Sequence, residues 1–211
     1  MSFAGEAQPA HRFPLIGNSL CVDFANNMFP AGFGGSLHSW GDLIDFLQVA
    51  GILSKAHEAQ LHSLAATAPE ATAEAFSTAL ELRAAISKAL EAIATGQAVL
   101  PGWVEPVNAV LRWTEGCDQL VPAGAGWRVG FVERQERLEW LLAAVARSAA
   151  ELIAEGPGAP VRKCANPACL LYFYDVSRTG RRRWCSMAVC GNRNKVAAYA
   201  RRRAARSRPH K

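Results

Sequence analysis

The chain has 211 residues, half of them apolar, with 23 Lys/Arg against 18 Asp/Glu and a formal net charge of +5. That composition is enough for a substantial core in one or two domains. No segment has the roughly 18 consecutive apolar residues of a membrane span, and no basic-then-apolar leader marks the N-terminus, so a cytoplasmic setting with reduced thiols is expected.

In chain order, residues 1–14 read as a loose leader. Leu20, Cys21, Phe24 and Met28 then recur at helical spacing, with Asn18 as the N-cap. Pro30 to Gly35 is a Gly-rich loop; no Lys-Ser/Thr follows it, so a phosphate-binding loop is not supported. Ser39 caps a helix over 41–50 that Gly51 stops, and a short helix over 55–65 follows. The Ala-rich segment 70–95 is a long helix with Phe76, Ala79, Leu80, Ile86 and Leu90 as its buried stripe. Arg83 falls inside that stripe, where a guanidinium needs a carboxylate or several carbonyls. Asp23 is its natural partner, in an internal salt bridge or in a polar pocket for a small ligand. A helix over 103–114 comes next. Pro122 to Gly126 is a turn between short strands, the second being Trp127–Phe131. A long helix over 133–154 buries Leu138, Leu141, Leu142, Val145 and Leu152, and Gly156-Pro-Gly158 ends it. The expected fold is mainly α with a small β element: a helical body over 1–158, a four-cysteine module over 161–206 (knuckle, β-hairpin, helix) and a basic tail over 207–211.

Charge is divided along the same line. Residues 1–160 hold nine Lys/Arg and seventeen Asp/Glu, a net −8; residues 161–211 hold fourteen Lys/Arg and one acid, Asp175, a net +13. An acidic body with a strongly basic terminal module points to a nucleic-acid partner.

The basic module contains Cys164, Cys169, Cys185 and Cys190, two C-x4-C pairs fifteen residues apart. In a reducing compartment this pattern favours a metal, zinc above an iron–sulfur cluster, over disulfides. Four thiolates leave no open position, so the metal is structural rather than catalytic. His210 is a poor ligand, and Cys21 and Cys117 read as small core residues. Between the pairs, Leu171–Asp175, Ser177–Gly180 and Arg181–Trp184 read as strand, turn and strand, with Phe173 and Trp184 in the core beneath the metal.

Asn192 to Arg206 suits a helix, with Asn192 as its cap. Val196, Ala197, Ala200 and Ala204 share one side, available to pack on the hairpin; Lys195, Arg202 and Arg206 share the other. At 1.5 Å per residue the helix is about 22 Å long, enough to lie in a DNA major groove. Arg178, Arg181, Arg182, Arg183 and Arg193 add phosphate-seeking charge. Double-stranded DNA is the expected partner. An RNA-binding or ribosome-associated protein is the alternative, disfavoured because no exposed aromatic ladder is evident. The scattered histidines His11, His38, His57 and His62, with no nucleophile motif or carboxylate pair, argue against an enzyme. One finger covers only a few base pairs, so a homodimer or a second contact is expected, with helices 70–95 and 133–154 as its surface.

These residues resemble a known family. Cys190-Gly-Asn-Arg193, with Cys164-x4-Cys169, Phe173-x-Asp175-x-Ser177-Arg178 and Arg182-Arg-Trp-Cys-Ser-Met187, looks like the CGNR zinc finger over about 161–205. Upstream, Leu20-Cys-Val-Asp-Phe-Ala-Asn-Asn27 and Ala79-Leu-Glu-Leu-Arg-Ala-Ala-Ile86 resemble the ABATE domain that usually precedes it. The resemblance implies a bacterial transcription regulator whose four cysteines bind zinc and whose N-terminal domain answers to a small effector. Asp23, Asn27 and Arg83 fall on that domain's polar motif positions and form its candidate effector pocket; Asn27-Met28 stands where Asn-Thr is expected.

Overall fold

A computed structural model describes residues 12–27, 36–113, 116–124, 126–133 and 138–206 of the chain. The expectations for Pro30–Gly35, Met28, His11, His210 and the basic tail, and for the side chains of Cys117, Phe131, Ala204 and Arg206, fall outside the described residues.

The first helix, α1 (Leu20–Asn26), is almost wholly buried, as its run of Cys21, Val22, Phe24 and Ala25 requires. Its N-cap is Ser19 rather than Asn18. Asn18 instead takes a left-handed conformation, φ 59°, which Asn tolerates better than most residues. The second helix, α2 (Trp40–Val49), starts where Ser39 Oγ accepts from the Asp42 amide at 3.2 Å and stops before Gly51, φ 75°. Ser54 caps α3 (Lys55–Thr67), which has no buried residue. It is held to α2 in part by Trp40 Nε1, which donates to Leu61 O at 2.8 Å.

The spine of the body is α4 (Pro69–Ala94), with Pro69 in its first turn. Ala79, Leu82, Ile86, Ala89, Leu90 and Ile93 form its buried stripe; Phe76 and Leu80 sit at its half-buried margin. Against it pack α1, α2, α3 and α5 (Pro101–Trp113), and α5 packs in turn on the helix after the first hairpin. Part of the leader belongs to this core. Phe13 is buried with its ring edge-on to Phe46, centroids 5.9 Å apart, and Arg12 pairs with Asp42 and, at 3.4 Å, with Asp45.

The expected hairpin is present as β1 (Gly116–Ala123) and β2 (Gly126–Glu133), antiparallel, with Leu120 opposite Val129 and Pro122 opposite Trp127. The expected long helix over 133–154 is shorter. A 3-10 turn, Leu138–Leu142, precedes α6 (Ala143–Glu155), and Gly156, φ 69°, ends it. Leu141, Leu142, Val145 and Leu152 are buried as expected.

The second sheet is β3 (Val161–Lys163) antiparallel to β4 (Tyr172–Tyr174), with Arg162 opposite Phe173. This corrects the expected pairing. β4 pairs backward across the first cysteine pair, not forward with Arg181–Trp184, which is irregular and reaches the metal site through Ala165 N donating to Arg183 O at 2.8 Å. A π-helical turn, Met187–Gly191, leads into α7 (Asn192–Arg206). Among the described residues no helix is long and apolar enough to cross a membrane.

Candidate metal centre and nucleic-acid interface

Two local folds bring the four sulfurs together. In the first, Cys164 N donates to Leu171 O at 2.9 Å and Cys169 N to Asn166 O at 2.8 Å, while Asn166 Oδ1 accepts from Ala168 N at 3.2 Å. That is a knuckle closed by the β3–β4 ladder. In the second, Ser186 Oγ accepts from Val189 N at 3.3 Å and Ser186 O from Gly191 N at 3.0 Å, winding the chain so that Cys190 turns back toward Cys185. Ser186, not Asn192, is therefore the cap; Asn192 Nδ2 donates to Ala188 O at 3.1 Å.

All four cysteines are buried, and their sulfurs lie within 4.8 Å of one another. Cys169 Sγ is 3.7 Å from Cys185 Sγ, which is 3.6 Å from Cys190 Sγ. A disulfide holds its sulfurs at about 2.05 Å. A tetrahedron of sulfurs about 2.3 Å from a central ion has edges of about 3.8 Å. The set therefore fits a four-thiolate metal ion and excludes disulfides. Two N–H groups support it: Asn166 Nδ2 donates to Cys190 Sγ at 3.4 Å and Cys185 N to Cys164 Sγ at 3.5 Å. Burial pushes the Cys169 thiol up to about 12, and burial with the neighbouring thiolates pushes Cys185 up as well. At Cys164 burial also opposes ionisation, but the amides of Cys185 and Asn166 outweigh it and its thiol is lowered. Such a cluster needs a cation to hold all its sulfurs ionised, and binding one releases protons. A bound ion would organise the fold and supply no chemistry to a substrate, since four thiolates fill its coordination.

The basic side chains divide into two groups. Arg178, Arg181, Arg183, Arg193, Lys195 and Arg202 are exposed. Arg182 is not available in the same way. Its guanidinium lies over the Phe173 ring, 4.4 Å from the centroid, and donates to Trp184 O at 2.9 Å, to Ile16 O at 3.1 Å and to Cys185 O. It braces the module from beneath. Trp184 is half-buried against the same small core, with Arg183 over its ring at 5.2 Å.

The exposed side of α7 differs from that expected from its sequence. Asn194 and Ala198 are the half-buried positions, whereas Val196 is 69% and Tyr199 62% exposed, and Ala197 and Ala200 are exposed too. The helix packs chiefly on the π-helical turn before it and not on the hairpin. Its Val196 side faces solvent.

Two residues that sequence reasoning passed over organise this region. Asp175, the lone acid of the module, is buried and accepts from the amides of Ser177 and Arg182, both at 3.0 Å, and from Arg162 Nε at 3.2 Å. Its burial opposes ionisation, but those donors hold its carboxyl below the usual range. Arg162 also donates to Gly180 O at 2.6 Å, closing the 175–182 loop. Asn26 spans body and module. Its Nδ2 donates to Tyr172 O and its Oδ1 accepts from Tyr172 N, both at 2.9 Å, so one carboxamide satisfies the outer edge of β4. Tyr174 N donates to Gly17 O at 2.7 Å and Asn18 Nδ2 to Tyr174 O at 3.0 Å, extending that seam. The sequence signal for both was the same: a short polar residue in a stretch whose neighbours are apolar or oppositely charged.

In the body, Asp23 and Arg83 form no ion pair. Asp23 is buried and accepts from Gly17 N at 2.6 Å. A side chain at position 17 would not fit, since an added Cβ would lie 2.7 Å from Val22 Cγ1. Burial raises the Asp23 carboxyl to about 6, against the pull of the Gly17 and Ile16 amides and Arg182. Arg83 Nη1 reaches carbonyls instead, Asn27 O at 3.1 Å and Leu37 O at 3.3 Å, and Asn27 Nδ2 donates to Asp23 O at 2.7 Å. Burial lowers the Arg83 guanidinium, and among the described residues its buried Nε has no hydrogen-bond partner. The structure thus joins Arg83 to Asn27 and leaves the Asp23 carboxylate facing the Gly17 loop.

Comparison with known families places both halves. Residues 161–203 match the model of the CGNR zinc finger. Residues 18–156 match the ABATE model, described as "putative stress-induced transcription regulator". No curated protein matches the chain.

Proposed function

Since the chain belongs to the ABATE family and ends in a CGNR zinc finger, we propose that it is a zinc-dependent transcription regulator that binds double-stranded DNA. One observation carries this reading. A module with a net charge of +13 is built around four buried thiols and presents a solvent-exposed basic helix, α7, clear of the hairpin behind it. Arg178, Arg181, Arg183, Arg193, Lys195 and Arg202 are its phosphate-seeking set; Arg182 serves the fold. Binding of this type gains free energy by counterion release and weakens steeply with salt. The protein binds rather than catalyses, for the metal it would hold leaves no position open to a substrate. One finger with one helix spans a few base pairs, so a specific site calls for two copies of the chain.

The body is the effector-responsive part in this reading. Arg83 supports it: its buried Nε–H, without an acceptor among the described residues, would be satisfied by an acceptor group of a small ligand. Asn27 is its neighbour in that site, and the Asp23 carboxylate, which faces Gly17 N, does not pair with Arg83.

Selection of bound sequences from random duplexes with the full-length, zinc-loaded protein tests the main reading. A defined site is expected. Equal affinity for all duplexes, with preference for structured RNA, would overturn it. Replacing Lys195 and Arg202 with Ala should lower the salt slope by about two while zinc stays bound. For the effector, a metabolite panel should give a thermal shift that Arg83→Ala abolishes with the fold retained; no shift with any compound leaves Arg83 a structural residue.

A further inference from the structure

α7 has a central exposed strip that does not coincide with its cationic side. At 100° per residue, Asn194 and Ala198 point toward the module, which sets the opposite line as Asn192, Val196, Tyr199 and Arg203. All four are exposed. Lys195 and Arg202 flank this line on one side. A Val two-thirds exposed one turn from a Tyr nearly as exposed, on a helix otherwise made of Arg, Lys, Asn and Ala, is not there to fold the module, because neither touches its core. The flanking cations determine what covers the strip: a polyanion brought to Lys195 and Arg202 is brought against Val196 and Tyr199 as well.

We propose that Val196, Tyr199 and Arg203 are the base-reading residues of α7, with Val196 and Tyr199 seated on a thymine 5-methyl group and Arg203 on a guanine edge in the major groove. This rests on the DNA-binding reading above and goes beyond it by naming what is read. The chemistry is specific. In the major groove thymine alone of the four bases presents a methyl group, which apolar side chains contact, and guanine presents two acceptors that match the fork of an arginine. Asn192 lies on the same line, but one of its two Nδ2 hydrogens is committed to Ala188 O at 3.1 Å, which ties the side chain to the helix, so it is not assigned a base. Val196 and Arg203 lie seven residues apart, about 10 Å along the helix axis, so the thymine and guanine fall about three base-pair steps apart.

The test uses the full-length zinc-loaded protein and the duplex it selects. Replacing the thymine with deoxyuridine removes only the methyl group. The wild-type protein should lose about fourfold in affinity, the worth of one buried methylene. Val196→Ala/Tyr199→Ala should bind the thymine duplex more weakly, show no further loss with deoxyuridine, and keep the wild-type salt slope and zinc content. Arg203→Lys should relax the guanine preference alone. A wild-type protein indifferent to deoxyuridine at every selected position, or a double variant that still discriminates, overturns the inference and leaves DNA binding standing. Failure to bind any duplex overturns both, as does capture of α7 by vesicles of anionic phospholipid in place of DNA.

Discussion

In the body, Leu82, Ile86 and Leu90 of α4 close against residues from α1, α2 and α5, and the core runs from Phe13 to Val161. In the finger, the core has six buried residues, four of them cysteines, with Leu171 and Phe173 between them and Ile16 and Trp184 at the edge. The body can meet the entropy of ordering its chain by apolar burial. The finger cannot; so small a unit needs a metal ion to close it. Charge follows the same division. The body holds most of the acids, with Asp23, Asp42 and Glu139 buried among them, whereas the finger concentrates cations on segments that need little packing of their own, and its one acid, Asp175, is buried in a turn.

The largest expected effect separates the two directly. Chelation of the metal, or Cys169→Ser, should unfold residues 161–206 and leave the body helical. Structural zinc sites are worth on the order of 10 kcal/mol or more. Hydrogen exchange would read both regions at once, and simultaneous loss of protection in α4 would refute their independence. The converse change is Leu82→Ala, which should cost the body about 2–5 kcal/mol in denaturant unfolding with no change in metal stoichiometry.

Asn26→Ala tests the seam. It strands both the N–H and the C=O of Tyr172, at about 1–3 kcal/mol each, and should speed exchange of the Tyr172 amide and proteolysis between the two parts. Unchanged exchange there would mean that other contacts hold β4. Asp23→Asn gives the smallest and most pH-dependent effect. The carboxyl titrates near 6 in the folded chain and near 3.8 when unfolded, so the folded state favours the proton. The resulting stability is full below about pH 4 and is lost as pH rises through 6. The amide keeps its neutrality throughout, so its stability relative to wild type should grow between pH 4 and 7 by up to about 3 kcal/mol. A difference that stays flat over that window would show that Asp23 ionises freely.

Local pattern was legible wherever neighbours in sequence are also neighbours in space. Ser39 as a cap, the Gly124-centred hairpin, the apolar stripe of α4 and the two cysteine pairs all belong to that class. Partners set by the approach of distant segments were not. Asp23 and Arg83 share a helical neighbourhood and a complementary charge, yet the Gly17 amide lies closer to one and the Asn27 and Leu37 carbonyls to the other. Arg182 is indistinguishable in sequence from Arg181 and Arg183. Only the position of the Phe173 ring and of the Ile16 carbonyl draws it inward.

Sequence alone thus determined the fold class, the four cysteines that gather into one buried cluster and the concentration of positive charge on the terminal module, since these depend on composition, periodicity and cysteine spacing. Tertiary structure decided which strand β4 pairs with, which arginine is structural and which side of α7 faces solvent. The reason is geometric. A helical wheel gives the angles between side chains but not the direction from which the rest of the protein approaches, and on α7 that direction is set by the π-helical turn at Met187–Gly191.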